Sequence, residues 1–178
     1  MTSLILAEHD NSELKPATLN AVTAAQALEG AIDILIAGSD CKGAAEGASK
    51  IEGVNKVLVA DSEEYANALA ENVANLVSKI ADNYSHVLAT ATTSAKNIMP
   101  RVAALRDVQQ ISEISEVIDT ETFVRPIYAG NAMATVKSSD SLKVITVRGT
   151  SFEAAEDNGG SATIEQVEAS GDSGLSSY

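Results

Sequence analysis

Short apolar blocks alternate with helical stripes through the first part of the chain. Residues 3–8 place Leu4, Ile5, Leu6 and Ala7 between polar flanks, the pattern of a buried strand. Residues 10–15 read as a loop, and Pro16 suits a helix start because it lacks a backbone N–H there. Leu19, Val22, Thr23, Gln26 and Ala27 then recur at helical spacing until Gly30. The same rhythm returns as a strand at 32–37, a small helix within 38–50 and a strand at 56–60. Asp61 and Ser62 stand as caps ahead of Tyr65, Leu69, Val73, Leu76, Val77 and Ile80, whose spacing gathers one apolar stripe. A strand at 86–89 and a helix over 92–105 follow, with Pro100 as a kink or a first-turn residue. Repeated β-crossover-β units imply a mainly parallel sheet with helices on both faces.

The pattern changes after Asp107. Residues 113–119, 122–128, 132–137 and 143–148 are β-rich, separated by short breaks such as 129–131 and 138–141 that are too short for a parallel crossover. The predicted fold is therefore α/β, a parallel sheet completed by an antiparallel meander, within residues 1–152. Residues 153–178 contain no Lys or Arg and are rich in Gly, Ser, Ala, Glu and Asp. They predict an acidic, mobile linker, with Phe152, Ile164, Val167 and Leu175 as anchors able to order only its beginning. Such a linker implies a further domain downstream.

At 178 residues the chain can bury one sizeable core. A net charge of −13 without a basic cluster repels a phosphate backbone, and six aromatic residues with no Trp offer little base stacking, so nucleic acid is not an expected partner. The single Cys41 cannot form a disulfide within the chain, which fits a bacterial cytoplasm or a mitochondrial matrix. No apolar run approaches the ~20 residues that span a bilayer, and no basic leader precedes the first strand, so membrane insertion is not expected.

The stretch Thr90-Ala91-Thr92-Thr93-Ser94 lies at a strand-to-helix junction, where free N–H groups and the helix dipole favour an anion. Thr92, Thr93 and Ser94 form a possible anion loop, and helix capping is the competing use of the same residues. Residues 38–43 match neither glycine-rich nucleotide fingerprint. Cys41 has no adjacent His, and His9 and His86 lack metal-ligand spacing. Glu8, His9 and Asp10 close the first strand where α/β folds place ligands, though loop hydration accounts for them equally. No catalytic constellation emerges, so the chain reads as something other than an enzyme.

Larger blocks carry more information. Residues 123–136, FVRPIYAGNAMATV, and 147–152, VRGTSF, closely resemble the alpha subunit of electron transfer flavoproteins. So do 4–9, LILAEH, with 18–20, TLN, and 96–104, KNIMPRVAA, in the family's order and across nearly the whole chain. The resemblance implies a fold like that of the adenine-nucleotide alpha hydrolases and a heterodimer with a beta subunit. It also implies an FAD that takes electrons from flavin dehydrogenases such as acyl-CoA dehydrogenases and passes them to a quinone oxidoreductase. In that family the flavin sits mainly in a second domain of the alpha subunit, so no FAD ligand is assigned among these residues and none is expected bound to them. The family's beta subunit holds AMP in a related domain that the alpha subunit uses without nucleotide. What remains is a scaffold and interaction role, with Arg125, Tyr128, Asn131 and Arg148 as a possible domain or subunit interface. Both arginines are expected to meet carboxylates or backbone carbonyls, or else to lie on a solvated strand face. The alternative function is a phosphate- or nucleotide-binding domain using residues 90–94.

Overall fold

Apolar blocks in the first half become strands buried on both faces, which explains why they run continuously rather than alternating. The computed structural model describes residues 1–178. Its regular elements are β1 (Thr2–Leu6), α1 (Ala17–Gln26), β2 (Ala31–Gly38), α2 (Lys42–Ser49), β3 (Val54–Asp61), α3 (Ala70–Ile80), β4 (His86–Thr90) and α4 (Thr93–Leu105). β5 (Gln110–Ile114), β6 (Glu116–Val117), β7 (Thr122–Ile127), β8 (Ala132–Lys137), β9 (Lys143–Val147) and β10 (Thr163–Gln166) complete the chain. Seven strands form one sheet in the order β10-β3-β2-β1-β4-β9-β5, every pair parallel. β6, β7 and β8 form a separate antiparallel sheet. This is the α/β fold predicted from the sequence.

Successive strand residues point to opposite faces and so feed two cores. Ile5, Ile34, Val57 and Ile145 pack with Val22 and Ala25 of α1 and Ala44 and Ala48 of α2. Leu4, Leu35, Leu58 and Val144 pack on the other face with Val73 and Leu76 of α3 and Ile98 and Val102 of α4. The order grows outward from β1 through β2 to β3 and then returns to β4 on the other side. The carboxyl ends of β1 and β4 therefore mark the reversal point where open α/β sheets form a crevice.

Four expectations are corrected. The stripe from Tyr65 to Ile80 is not one helix, because a 3-10 turn at Glu63–Tyr65 is separated from α3 by Ala68 in left-handed backbone at φ 48°. Asp61 ends β3 and accepts the Asp40 N–H at 2.8 Å instead of capping. Residues 143–148 were expected in the meander, but β9 lies parallel between β4 and β5. All five of its residues are buried, so it needs cover on both faces, and the break before it carries the chain from the small sheet to the large one.

The fourth concerns residues 153–178, which are laced along the sheet rather than ordered only at their start. Ala155 N–H donates to Leu19, Gly160 N–H to Lys50 and Ala162 N–H to Ser49, after which β10 pairs with β3. Beyond β10, the buried Asn72 amide donates to the Asp172 carboxylate at 3.1 Å and accepts the Ser173 N–H at 2.9 Å, while Tyr65 bonds Ser170. Gly160 makes this route possible, since a Cβ there would lie 2.1 Å from the Ile51 carbonyl oxygen. Of the expected anchors, Phe152 and Val167 do pack against the cores, whereas Ile164 and Leu175 are exposed. Backbone pairing to the edge of β3, more than apolar burial, holds the segment.

Candidate functional site

The crevice at the carboxyl ends of β1 and β4 is nearly closed by the chain itself. Asn11, in left-handed backbone at φ 71°, donates its amide to the Ala66 carbonyl at 3.0 Å and accepts the Ser39 N–H at 3.2 Å. Its own N–H donates to His9 Nδ1 at 3.1 Å. These bonds draw the loop after β3 over the crevice, leaving a cavity of about 50 Å³ bordered by Glu8, His9, Thr18, Thr92 and Ser94. Small-molecule sites usually enclose roughly 300–1,000 Å³, so a nucleotide does not fit this space. Burial pushes the His9 pKa down and keeps the ring neutral near neutral pH.

Two of the four hydroxyls in the 90–94 stretch, those of Thr90 and Thr92, are used within the fold. Thr90 Oγ1 donates to the Ala17 carbonyl at 2.6 Å, and Thr92 Oγ1 caps α4 by accepting the Ala95 N–H at 3.3 Å. Thr93 is exposed and Ser94 half-buried. Cys41 is buried, and burial, aided by the nearby Asp61 charge, pushes its thiol up, away from the reactive thiolate. No group of three or more His, Cys, Asp or Glu side chains could hold a metal ion.

A wider cleft, about 660 Å³, opens beside the crevice between the end of β9 and the turn after β7. Asn20, Glu113, Pro126, Ala129, Gly130, Arg148 and Gly149 are among its walls. The structure thus brings Arg148 to the same cleft as Ala129 and Gly130 of the turn after β7, with Tyr128 just outside it. Arg148 is exposed and has neither an ion pair nor a side-chain hydrogen bond. Tyr128 is 80% exposed, and Asn131 is exposed just beyond it. Arg125 instead donates Nε to the Ser112 carbonyl at 2.7 Å, tying β7 to β5. Reasoning from sequence missed Glu113, whose backbone sits at φ 54° where the β5 register shifts and whose carboxylate pairs with Lys96. Nothing in the local sequence marks that bulge.

Comparison with known proteins carries the assignment further. The family model described as "Electron transfer flavoprotein domain" matches residues 3–172. The chain belongs to that family. As a member of the electron transfer flavoprotein family, it is similar over its full length to two proteins named electron transfer flavoprotein subunit alpha. One is from Pseudomonas aeruginosa, 57% identical, and the other from Paracoccus denitrificans, 51% identical; the match covers 58% of each. The mitochondrial alpha subunit of Dictyostelium discoideum is 47% identical over 92% of this chain and 48% of its own length. The chain thus spans about half the length of the curated relatives it matches, from 48% to 58% of these three.

A flavin implied by the family does not fit the cavities of these residues. The cavity at the crevice is too small, and the wide cleft has no aromatic side chain among its walls to cover an isoalloxazine ring. No redox step is therefore assigned to a residue of this chain. No helix is long and apolar enough to cross a membrane.

Proposed function

We propose that this chain is the scaffold and interaction portion of an electron transfer flavoprotein alpha subunit. In the complete protein it supports an FAD held by other residues, and residues 153–178 lead from the sheet toward the domain that holds it. The single observation that carries the proposal is the similarity, over all 178 residues, to proteins named as that subunit. The poor fit of a flavin to either cavity supports placing the cofactor elsewhere. In this reading the partner is an electron transfer flavoprotein beta subunit, and the heterodimer accepts electrons from flavin dehydrogenases, acyl-CoA dehydrogenases among them, for delivery to a quinone oxidoreductase. The chain's own part is to present a rigid face rather than to catalyse.

Flavin released on denaturation tests this directly. The complete alpha subunit co-purified with its beta subunit is expected to release one flavin per heterodimer, and residues 1–178 alone well under one. One flavin retained by residues 1–178 alone would overturn the scaffold assignment.

A further inference from the structure

Charge is distributed unevenly in this acidic chain. Of its twelve Lys and Arg residues, eight form ion pairs, while Arg125 and Lys143 donate to carbonyls. Only Lys50 and Arg148 are left without a partner, although the chain has twenty-five carboxylates to offer. Among the residues that line the cleft, Arg148 is the one base and Glu113 the one acid. Glu113 is held below the usual carboxylate range by its bond to Lys96, with the charges of Arg148 and Arg125 adding to the effect, so three cations gather about one carboxylate. That carboxylate is already paired with Lys96, and Arg125 is committed to Ser112, which leaves the Arg148 guanidinium free at the wall of the cleft. The opposite wall holds Ala129 and Gly130, and Tyr128, next to them in the same turn but outside the walls, is 80% exposed to solvent. Arg and Tyr are the residue types that most often dominate the energy of a protein interface, and a guanidinium binds a carboxylate in bidentate fashion.

The geometry points to a docking site in which the cleft beside Arg148 receives a side-chain carboxylate from the partner subunit, Arg148 being its anchor, Ala129 and Gly130 its second wall, and the exposed Tyr128 a contact at its margin. This rests on the heterodimer proposed above. A polypeptide carboxylate is favoured over a free small anion because the cleft is open along one side and flanked by an exposed aromatic residue, which an inorganic ion would not use.

The test measures association of the complete alpha subunit with its beta subunit over a range of NaCl concentrations. Arg148→Gln is expected to weaken association about tenfold and to flatten its salt dependence, with Arg148→Lys recovering part of the loss. Lys50→Gln, which removes the other free cation, should change neither. Thermal unfolding of each variant alpha subunit alone should match wild type, since Arg148 makes no side-chain bond within the chain. If the wild-type complex forms and Arg148→Gln binds equally well with an unchanged salt slope, the docking site is wrong while the heterodimer stands. If no wild-type complex forms, both fall. Titration with inorganic phosphate and sedimentation of the alpha subunit alone cover other occupants. Phosphate binding or self-association that depends on Arg148, with normal heterodimer assembly, would overturn the proposal in favour of a free anion or a second copy.

Discussion

Tyr128 and Ala129 occupy consecutive left-handed positions, at φ 49° and 55°, immediately before Gly130 at φ 89°. Such backbone costs a residue bearing a Cβ about 1–2 kcal/mol, partly offset in glycine by its greater freedom when unfolded. Ala129→Gly is therefore expected to raise the unfolding free energy by up to about 1 kcal/mol in urea titrations. A decrease would mean that the Ala129 methyl makes a contact worth more than the strain. His86 shows a different residue-scale effect. Its Nε2 donates to the Thr120 carbonyl at 2.7 Å, its Nδ1 accepts from the Ser85 hydroxyl at 2.9 Å, and its ring meets Phe123 edge-on. Burial holds its pKa below the ordinary 6.5, and it does the same for His9. In the unfolded chain both rings bind protons first as pH falls, so stability drops as pH descends through 6.5 and levels off only below the lowered folded values. Urea midpoints compared at about pH 8 and about pH 5.5 should show this loss, and His86→Gln should reduce it while lowering stability at the higher pH.

Among the elements, β10 gives the sharpest test because its side chains are all exposed and its hold is the ladder to β3. Glu165→Pro removes a backbone donor from the middle of that strand. Hydrogen exchange is expected to accelerate over residues 163–167 and along the outer edge of β3, while β1 and β4 stay protected. Unchanged protection would show that Asn72 and Tyr65 hold the segment without the ladder. The same strand shows where legibility ended. The buried strands of the first half announce themselves because each places Leu, Ile and Val on both faces. Thr163-Ile164-Glu165-Gln166 buries almost nothing, so composition made it a linker when an unpaired neighbour made it a strand. For β9, Val144, Ile145 and Val147 revealed a strand but not its neighbours, since a short break can turn a hairpin or cross between sheets. The cleft was half legible: Arg148 and the Tyr128 turn stood out by resemblance to a family, while the Glu113 bulge and Lys96 meet them only through tertiary structure.

At the scale of the molecule, the insertion of β9 between β4 and β5 makes completion of the sheet depend on a late part of the chain. A chain ending at residue 141 retains β5 but not its only neighbour in the large sheet. It is expected to lack a cooperative thermal transition and to aggregate, as judged by calorimetry and light scattering. A sharp, reversible transition near that of the whole chain would show that four strands suffice. During synthesis, β5 leaves the ribosome before its neighbour β9 exists and must wait while the whole antiparallel sheet is made. The flank of β4 is open for that interval, offering a growing polypeptide an apolar edge that only residues 143–147 can close correctly. Translation speed between β5 and β9 therefore becomes a determinant of yield, so that slow codons in that stretch would prolong the exposed state and increase demand for chaperones.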